Sequence, residues 1–114
     1  MKILLTGSKG QLANKIIMQK PAGVNLISLC RKDFDLSSKK DIHSKLIEIR
    51  PDLIINCGAY TNVDEAEIHK DFVIDVNANS VKEMSKYLKK NGGYLIQIST
   101  DYVFNGFQTT PYKT

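Results

Sequence analysis

The sequence predicts an α/β fold, a doubly wound parallel sheet covered by helices on both faces, and three observations carry that prediction. Short apolar runs alternate with stretches of helical periodicity along all 114 residues, the pattern of strands joined by crossover helices. The first run, Ile3-Leu4-Leu5, passes directly into a glycine-rich turn. The run Leu53-Ile54-Ile55 has no polar residue at alternate positions, as expected of a strand buried on both faces.

Taken in order, the first strand spans Lys2 to Thr6 and the first helix about Gln11 to Gln19. That helix turns Leu12, Ile16 and Ile17 toward the sheet and ends at Pro21 and Gly23. Strand two is Asn25 to Cys30. Beyond the polar stretch Arg31 to Leu36, Ser37 or Ser38 can cap a helix whose Ile42, Leu46 and Ile49 recur at i, i+4 and i+7, and Pro51 stops it. Asp52 to Cys57 forms strand three, and Gly58-Ala59-Tyr60-Thr61-Asn62 is the loop leaving its carboxyl end. A helix from about Asp71 to Lys90 buries Val73, Val76, Val81, Met84 and Leu88, and Asn91-Gly92-Gly93 ends it. Tyr94 to Ile98 is strand four. Right-handed crossovers suggest the order 3-2-1-4, with the glycine turn, the Gly58 loop and Ser99-Thr100-Asp101 facing one crevice.

Composition bounds the function. Of the residues, 42% are hydrophobic and 25% charged, which suits one modest core and one domain, residues 1–114. The net charge of +4 comes from lysines scattered through every segment, a solvated surface and not a nucleic-acid site. Cys30 and Cys57 lack metal or disulfide spacing and read as small buried thiols in a reducing compartment. No stretch reaches the roughly 20 apolar residues of a membrane helix, and the N-terminus lacks a signal-peptide core, so a cytoplasmic location without membrane contact is expected.

The chemistry-bearing motifs lie at the ends of predicted strands. In Gly7-x-x-Gly10-x-x-Ala13, Gly7 permits a tight exit from the strand and Gly10 lets backbone N–H groups approach a pyrophosphate, with the helix N-terminus beyond. The first two glycines stand three apart and Ala13 replaces a third, so a purely structural βα turn is the competing reading. At the end of strand two, where a cofactor with a free ribose 2′-hydroxyl meets an acid, the chain has Cys30-Arg31-Lys32. Arg31 favours a 2′-phosphate or stacking on adenine, hence NADP over NAD, against an ordinary exposed arginine. Asp35 and Leu36 can reach an adenine, although an acid ahead of a helix also serves as a cap. Ser99-Thr100-Asp101-Tyr102 places hydroxyls and a carboxylate where a carbonyl substrate would lie, or forms a strand-end turn. The acids of Asn62 to Glu67 read as a helix first turn and not a metal cluster, no metal site is expected, and His43 and His69 carry no assigned chemistry.

Gly7 to Leu12, Arg50 to Asn56, Ala59 to Asp64, Asn77 to Val81 and Ser99 to Phe104 together resemble the N-terminal part of the dTDP-4-dehydrorhamnose reductases, in the extended short-chain dehydrogenase/reductase superfamily with its Rossmann-type domain. The resemblance implies that Gly10, Gln11 and Leu12 contact cofactor phosphates, Asp35 and Leu36 the adenine, and Gly58, Ala59 and Tyr60 the ribose and nicotinamide side. It further implies that Thr100 is a catalytic hydroxyl and that Thr100, Asp101 and Tyr102 meet the sugar nucleotide. The implied reaction is reduction of a 4-keto-6-deoxy sugar on dTDP to dTDP-L-rhamnose with NADPH or NADH, and the full-length form allows a homodimer. The family's Tyr-x-x-x-Lys pair is not found: none of Tyr60, Tyr87, Tyr94 or Tyr102 has lysine four residues later, and Tyr112 stands too near Thr114 to be tested. This chain therefore reads as the cofactor-binding half, without the sugar-nucleotide domain, inactive alone and with an open edge beside strand four. A non-catalytic NADP-binding regulatory subunit and a nucleotide-sugar epimerase or dehydratase are the alternatives.

Overall fold

The computed structural model describes residues 1–113. Four parallel strands, β1 (Lys2–Thr6), β2 (Asn25–Leu29), β3 (Leu53–Asn56) and β4 (Tyr94–Gln97), alternate with helices α1 (Gln11–Gln19), α2 (Lys39–Ile49), α3 (Val63–Ala66), α4 (Lys70–Ile74) and α5 (Ser80–Asn91). The doubly wound class and nearly every element boundary agree with the sequence reading.

The strand order does not. The sheet runs β2-β1-β3-β4, so β3 lies beside β1 and not outside β2. The burial of the strands gives the reason. Ile54 is fully buried and Leu53 and Ile55 are half-buried, so the most apolar strand takes an interior place. β2 carries polar Asn25 and Ser28, both exposed, and tolerates the edge. The chain thus reverses direction after β2, and the topological switch point falls between β1 and β3.

On one face a row of cross-strand neighbours, Ile27, Leu4, Ile54 and Leu95, meets Ile42, Leu46 and Ile49 of α2 and Met84 and Leu88 of α5 to form the core. Ser38 caps α2 by accepting a bond from the Asp41 N–H at 3.2 Å. Right-handed crossovers put α1 on the opposite face, where Ala13 is fully buried and Leu12 is 46% exposed. Leu12 therefore does not enter the core as expected: α1 approaches β1 through its smallest side chain, and the leucine beside it turns outward. The face lined by Tyr94, Ile96 and Ile98 is also largely exposed.

The expected long helix is continuous from Lys70 to Asn91, but it holds a π-turn at Asp75–Asn79 that sequence reasoning did not foresee. The helix first turn expected at Asn62 to Glu67 is present as a short helix α3, capped by Asn62, which accepts from the Glu65 N–H at 3.4 Å. Its acids stand in the first turn as expected. No helix is long and apolar enough to cross a membrane among the described residues.

Candidate functional site

At the carboxyl edge of the sheet, β1 leaves through Gly7 at φ +67°, and a Cβ added there would meet the backbone of Cys57 and Gly58 at 2.7 to 2.8 Å. The turn after β1 and the loop after β3 thus touch backbone to backbone, a contact that the β1–β3 neighbourhood creates. Gly10 then donates to the Gly7 carbonyl at 2.9 Å and begins α1. No side chain caps α1 and no acid occupies its first turn. Its leading N–H groups, those of Gln11 and Leu12 among them, therefore have no side-chain acceptor from a cap.

A polar row sits one pleat beyond the apolar core row. Thr6, Asn56 and Gln97 are cross-strand neighbours; the Thr6 hydroxyl donates to Asn56 Oδ1, and Asn56 Nδ2 donates to Gln97 Oε1 at 2.7 Å. The Gly58 N–H points into this row, at 3.2 Å from Asn56 Oδ1 and 3.3 Å from Thr6 Oγ1. The other end of the loop is held from the π-turn: Asn77 Oδ1 accepts from the Tyr60 N–H at 2.8 Å, and Asn77 Nδ2 donates to the Tyr60 carbonyl at 3.1 Å. Gly58-Ala59-Tyr60 is therefore fixed at both ends by side chains whose roles the sequence reading did not assign. Thr6 and Asn56 were legible only as polar residues closing apolar strands.

Beside this loop lies a cleft of about 140 Å³ bounded by Gly7, Arg31, Asp35, Leu36, Gly58, Ala59 and Tyr60, together with Phe34, Phe72 and Val76. Seven of the expected residues thus converge. The volume is below the roughly 300 to 1,000 Å³ of a whole-ligand pocket, so the cleft can take only one part of an extended ligand. Leu36 reaches across Gly58, where an added Cβ would meet its Cδ1 at 2.6 Å. Asp35 Oδ1 accepts from the Ser37 N–H at 2.9 Å and from the Ser37 hydroxyl at 2.7 Å, so local turn-making accounts for one of its oxygens. The Arg31 guanidinium lies 5.2 Å from the centre of the Phe72 ring, and that ring meets Tyr60 edge to face at 5.6 Å. Tyr60 donates its hydroxyl to Glu65 at 2.8 Å; this bond, with burial adding to it, raises the phenol above its ordinary pKa.

Cys30 and Cys57 are half-buried free thiols and not fully buried ones. The Cys30 Sγ donates to Asp33 at 3.0 Å, and that bond, joined by the Cys30 N–H, holds Asp33 below the ordinary carboxylate range. Burial pushes the Cys57 thiol up. Thr100, Asp101 and Tyr102 leave the carboxyl end of β4 in a short 3-10 turn, all exposed. Thr100 Oγ1 accepts from the Tyr102 N–H at 3.3 Å and donates to Asp101 at 3.1 Å. They share the sheet edge with the cleft without lining it. A larger cleft of about 810 Å³ opens at the opposite sheet edge between Arg50, Asp52, Lys90 and Gly93; it holds none of the expected site residues. No cluster of metal-ligating residues occurs among the described residues.

An open parallel sheet with a glycine turn and a cleft at its switch point defines a Rossmann-type α/β domain. The particular family follows from comparison: the chain belongs to the RmlD substrate binding domain family, whose model matches residues 1–114. The chain is 34% identical over 112 residues to a dTDP-4-dehydrorhamnose reductase of Sinorhizobium fredii, covering 98% of this chain and 38% of that protein. A crystal structure of a dTDP-4-dehydrorhamnose reductase from Clostridium acetobutylicum superposes with a TM-score of 0.91 at 36% identity, over 98% of this chain and 40% of that one. The corresponding Bacillus anthracis enzyme, solved in complex with NADP, gives a TM-score of 0.85 at 33% identity, over 95% and 40%. The chain thus spans about two fifths of the length of these relatives.

Proposed function

We propose that this chain supplies the cofactor-binding part of an NAD(P)H-dependent reductase that converts dTDP-4-dehydro-6-deoxy-L-mannose to dTDP-L-rhamnose. The observation that carries the reading is the backbone contact of Gly7 with the Gly58 loop beside the Arg31 cleft, which joins a phosphate-binding turn to a ring-sized recess at the switch point. The similarity to reductases named for that reaction, one of them holding NADP, supports the substrate and cofactor.

In this reading Gly7, Gly10, Gln11 and Leu12 offer close backbone and unpaired N–H groups to the cofactor pyrophosphate. Arg31 takes the 2′-phosphate, Asp35 and Leu36 border the adenine, and Gly58, Ala59 and Tyr60 run along the ribose toward the nicotinamide. The cofactor, when bound, supplies the hydride. Thr100 presents its hydroxyl to the reacting carbonyl oxygen as charge develops there, while Asp101 and Tyr102 face the sugar nucleotide. No Tyr-x-x-x-Lys pair to deliver the proton falls within residues 1–114, so on this reading these residues supply the cofactor site and do not turn over by themselves. A cytoplasmic location goes with this reading, which allows a homodimer of the full-length form.

NADPH titrated into the isotopically labelled chain should shift the amide signals of Gly7, Gly10 and Arg31 first. Silence of those amides at millimolar cofactor would overturn the reading. Added dTDP-4-keto sugar should remain unreduced by the chain alone.

A further inference from the structure

Arg31 is a long, exposed side chain just past edge strand β2. No carboxylate pairs with it among the described residues. The two acids nearest in sequence are engaged elsewhere: Asp33 by Cys30, Asp35 by Ser37. What holds the guanidinium is the face of Phe72 at 5.2 Å. An aromatic face orients an arginine without neutralising it or occupying its N–H donors, whereas an ion pair would do both.

Phe72 is itself fixed. Its ring abuts Tyr60 edge to face at 5.6 Å, while Asn77 clamps the Tyr60 backbone. Phe72 and Asn77 are five residues apart, and on an ordinary α-helix at about 100° per residue they would point about 140° apart. The π-turn at Asp75–Asn79, with its i→i+5 closure, lets both reach Tyr60.

We propose that Phe72 is a specificity-determining positioning residue: it holds the Arg31 guanidinium uncompensated at the mouth of the cleft, so that discrimination for a ribose 2′-phosphate depends on a ring that touches no phosphate. This inference rests on the cofactor-site reading above. It goes beyond that reading by placing part of the NADP preference in α4, some forty residues from the arginine that would bind the phosphate.

The probes are 2′,5′-ADP and 5′-AMP, which differ by the 2′-phosphate alone and need no nicotinamide subsite. Their affinities for the chain are measured by calorimetry, with folding checked by circular dichroism. Phe72→Leu, which keeps apolar bulk without the aromatic face, should lower the 2′,5′-ADP to 5′-AMP affinity ratio about threefold to fivefold. Phe72→Tyr should retain it. Arg31→Ala should abolish the preference, and Phe72→Leu added to Arg31→Ala should change the ratio no further. If Phe72→Leu weakens both nucleotides equally, Phe72 only packs the cleft, and the inference falls while the cofactor site stands. If the unmodified chain binds both nucleotides equally, the role of Arg31 falls and the inference with it. Binding of neither overturns the site reading itself.

Discussion

Replacing Gly7 by alanine tests the contact on which the site depends, and two other glycines calibrate it. Gly7 is at φ +67°, where a Cβ costs about 1 to 2 kcal/mol on backbone grounds alone. The added carbon would also lie 2.7 Å from the Gly58 nitrogen and 2.8 Å from the Cys57 carbonyl carbon. Both are backbone atoms of the neighbouring strand end, so relief requires moving the loop, a strain of about 1 to 3 kcal/mol. Gly7→Ala should therefore lose about 3 kcal/mol, a large share of the roughly 5 to 15 kcal/mol typical of a domain. Gly23 has a similar φ of +79° but open space around it, so Gly23→Ala should lose only about 1 kcal/mol. Gly10 has an ordinary φ of −74° and a new Cβ would sit 3.2 Å from the Gly7 carbonyl oxygen. Gly10→Ala should stay within about 1 kcal/mol of the parent yet weaken NADPH binding by tenfold or more, because in the proposed site the methyl stands where the pyrophosphate approaches. Urea denaturation and cofactor titration of the three variants measure both quantities. Equal destabilisation by Gly7→Ala and Gly23→Ala would refute the close packing of the two loops, and unaltered NADPH affinity in Gly10→Ala would refute the phosphate role of the turn.

Glu83, nearly buried, receives Lys86 at 2.8 Å and His43 at 2.8 Å, with Lys39 at 3.5 Å; the bonds from Lys86 and His43 hold its carboxyl down at about 2, against an ordinary 4.5. Because the folded-state value is depressed, the stabilisation is present above about pH 4.5 and lost as pH falls toward about 2, so Glu83→Gln should lower the urea midpoint at pH 7 and make little difference near pH 2. Asn77→Ala removes both bonds to the Tyr60 backbone and should cost about 1 to 2 kcal/mol, with faster hydrogen exchange at the Tyr60 amide. Leu46, fully buried between α2 and the sheet, should cost about 2 to 5 kcal/mol as Leu46→Ala, read from the thermal or urea transition. The half-exposed Ile96 and the 79% exposed Tyr94 on edge strand β4 should drive concentration-dependent self-association, which Ile96→Lys reduces in sedimentation velocity.

The element boundaries were legible because each is written locally. Gly10, Ser38, Pro51 and Asn91-Gly92 start or stop helices by backbone chemistry that needs no partner. Strand order is different in kind. The periodicity of Leu53-Ile54-Ile55 says that the strand is buried, while its place beside β1 depends on which edge tolerates Asn25 and Ser28, a comparison between strands that no single segment contains. The π-turn escaped for a related reason: Asp75 to Asn79 has helix-compatible side chains, and the extra residue is accommodated because Asn77 bonds to Tyr60, which lies seventeen positions away. Of the expected site, Gly7, Arg31, Asp35, Leu36 and the Gly58 loop border one cleft, whereas Gly10, Gln11 and Leu12 at the start of α1 and Thr100 to Tyr102 beyond β4 do not line it.

The sheet itself explains why the candidate site begins where the core stops. On the face covered by α2 and α5, the row Ile27, Leu4, Ile54, Leu95 gives way two residues later to Leu29, Thr6, Asn56, Gln97. An apolar continuation would extend the core but leave the Gly58 N–H pointing into hydrocarbon, a cost of about 1 to 3 kcal/mol for an unpaired donor. Thr6 and Asn56 accept that N–H instead, and Gln97 satisfies the Asn56 amide, so no side-chain polar atom among the described buried ones lacks a partner. A fully satisfied polar row is stiff, because each member loses its bonds if any one moves. The loop it carries therefore needs neither a lid nor a bound ligand to hold its shape. Gly7 can lie against Gly58 with no side chain between them, and the recess beside Arg31 is bordered by a loop held at both ends.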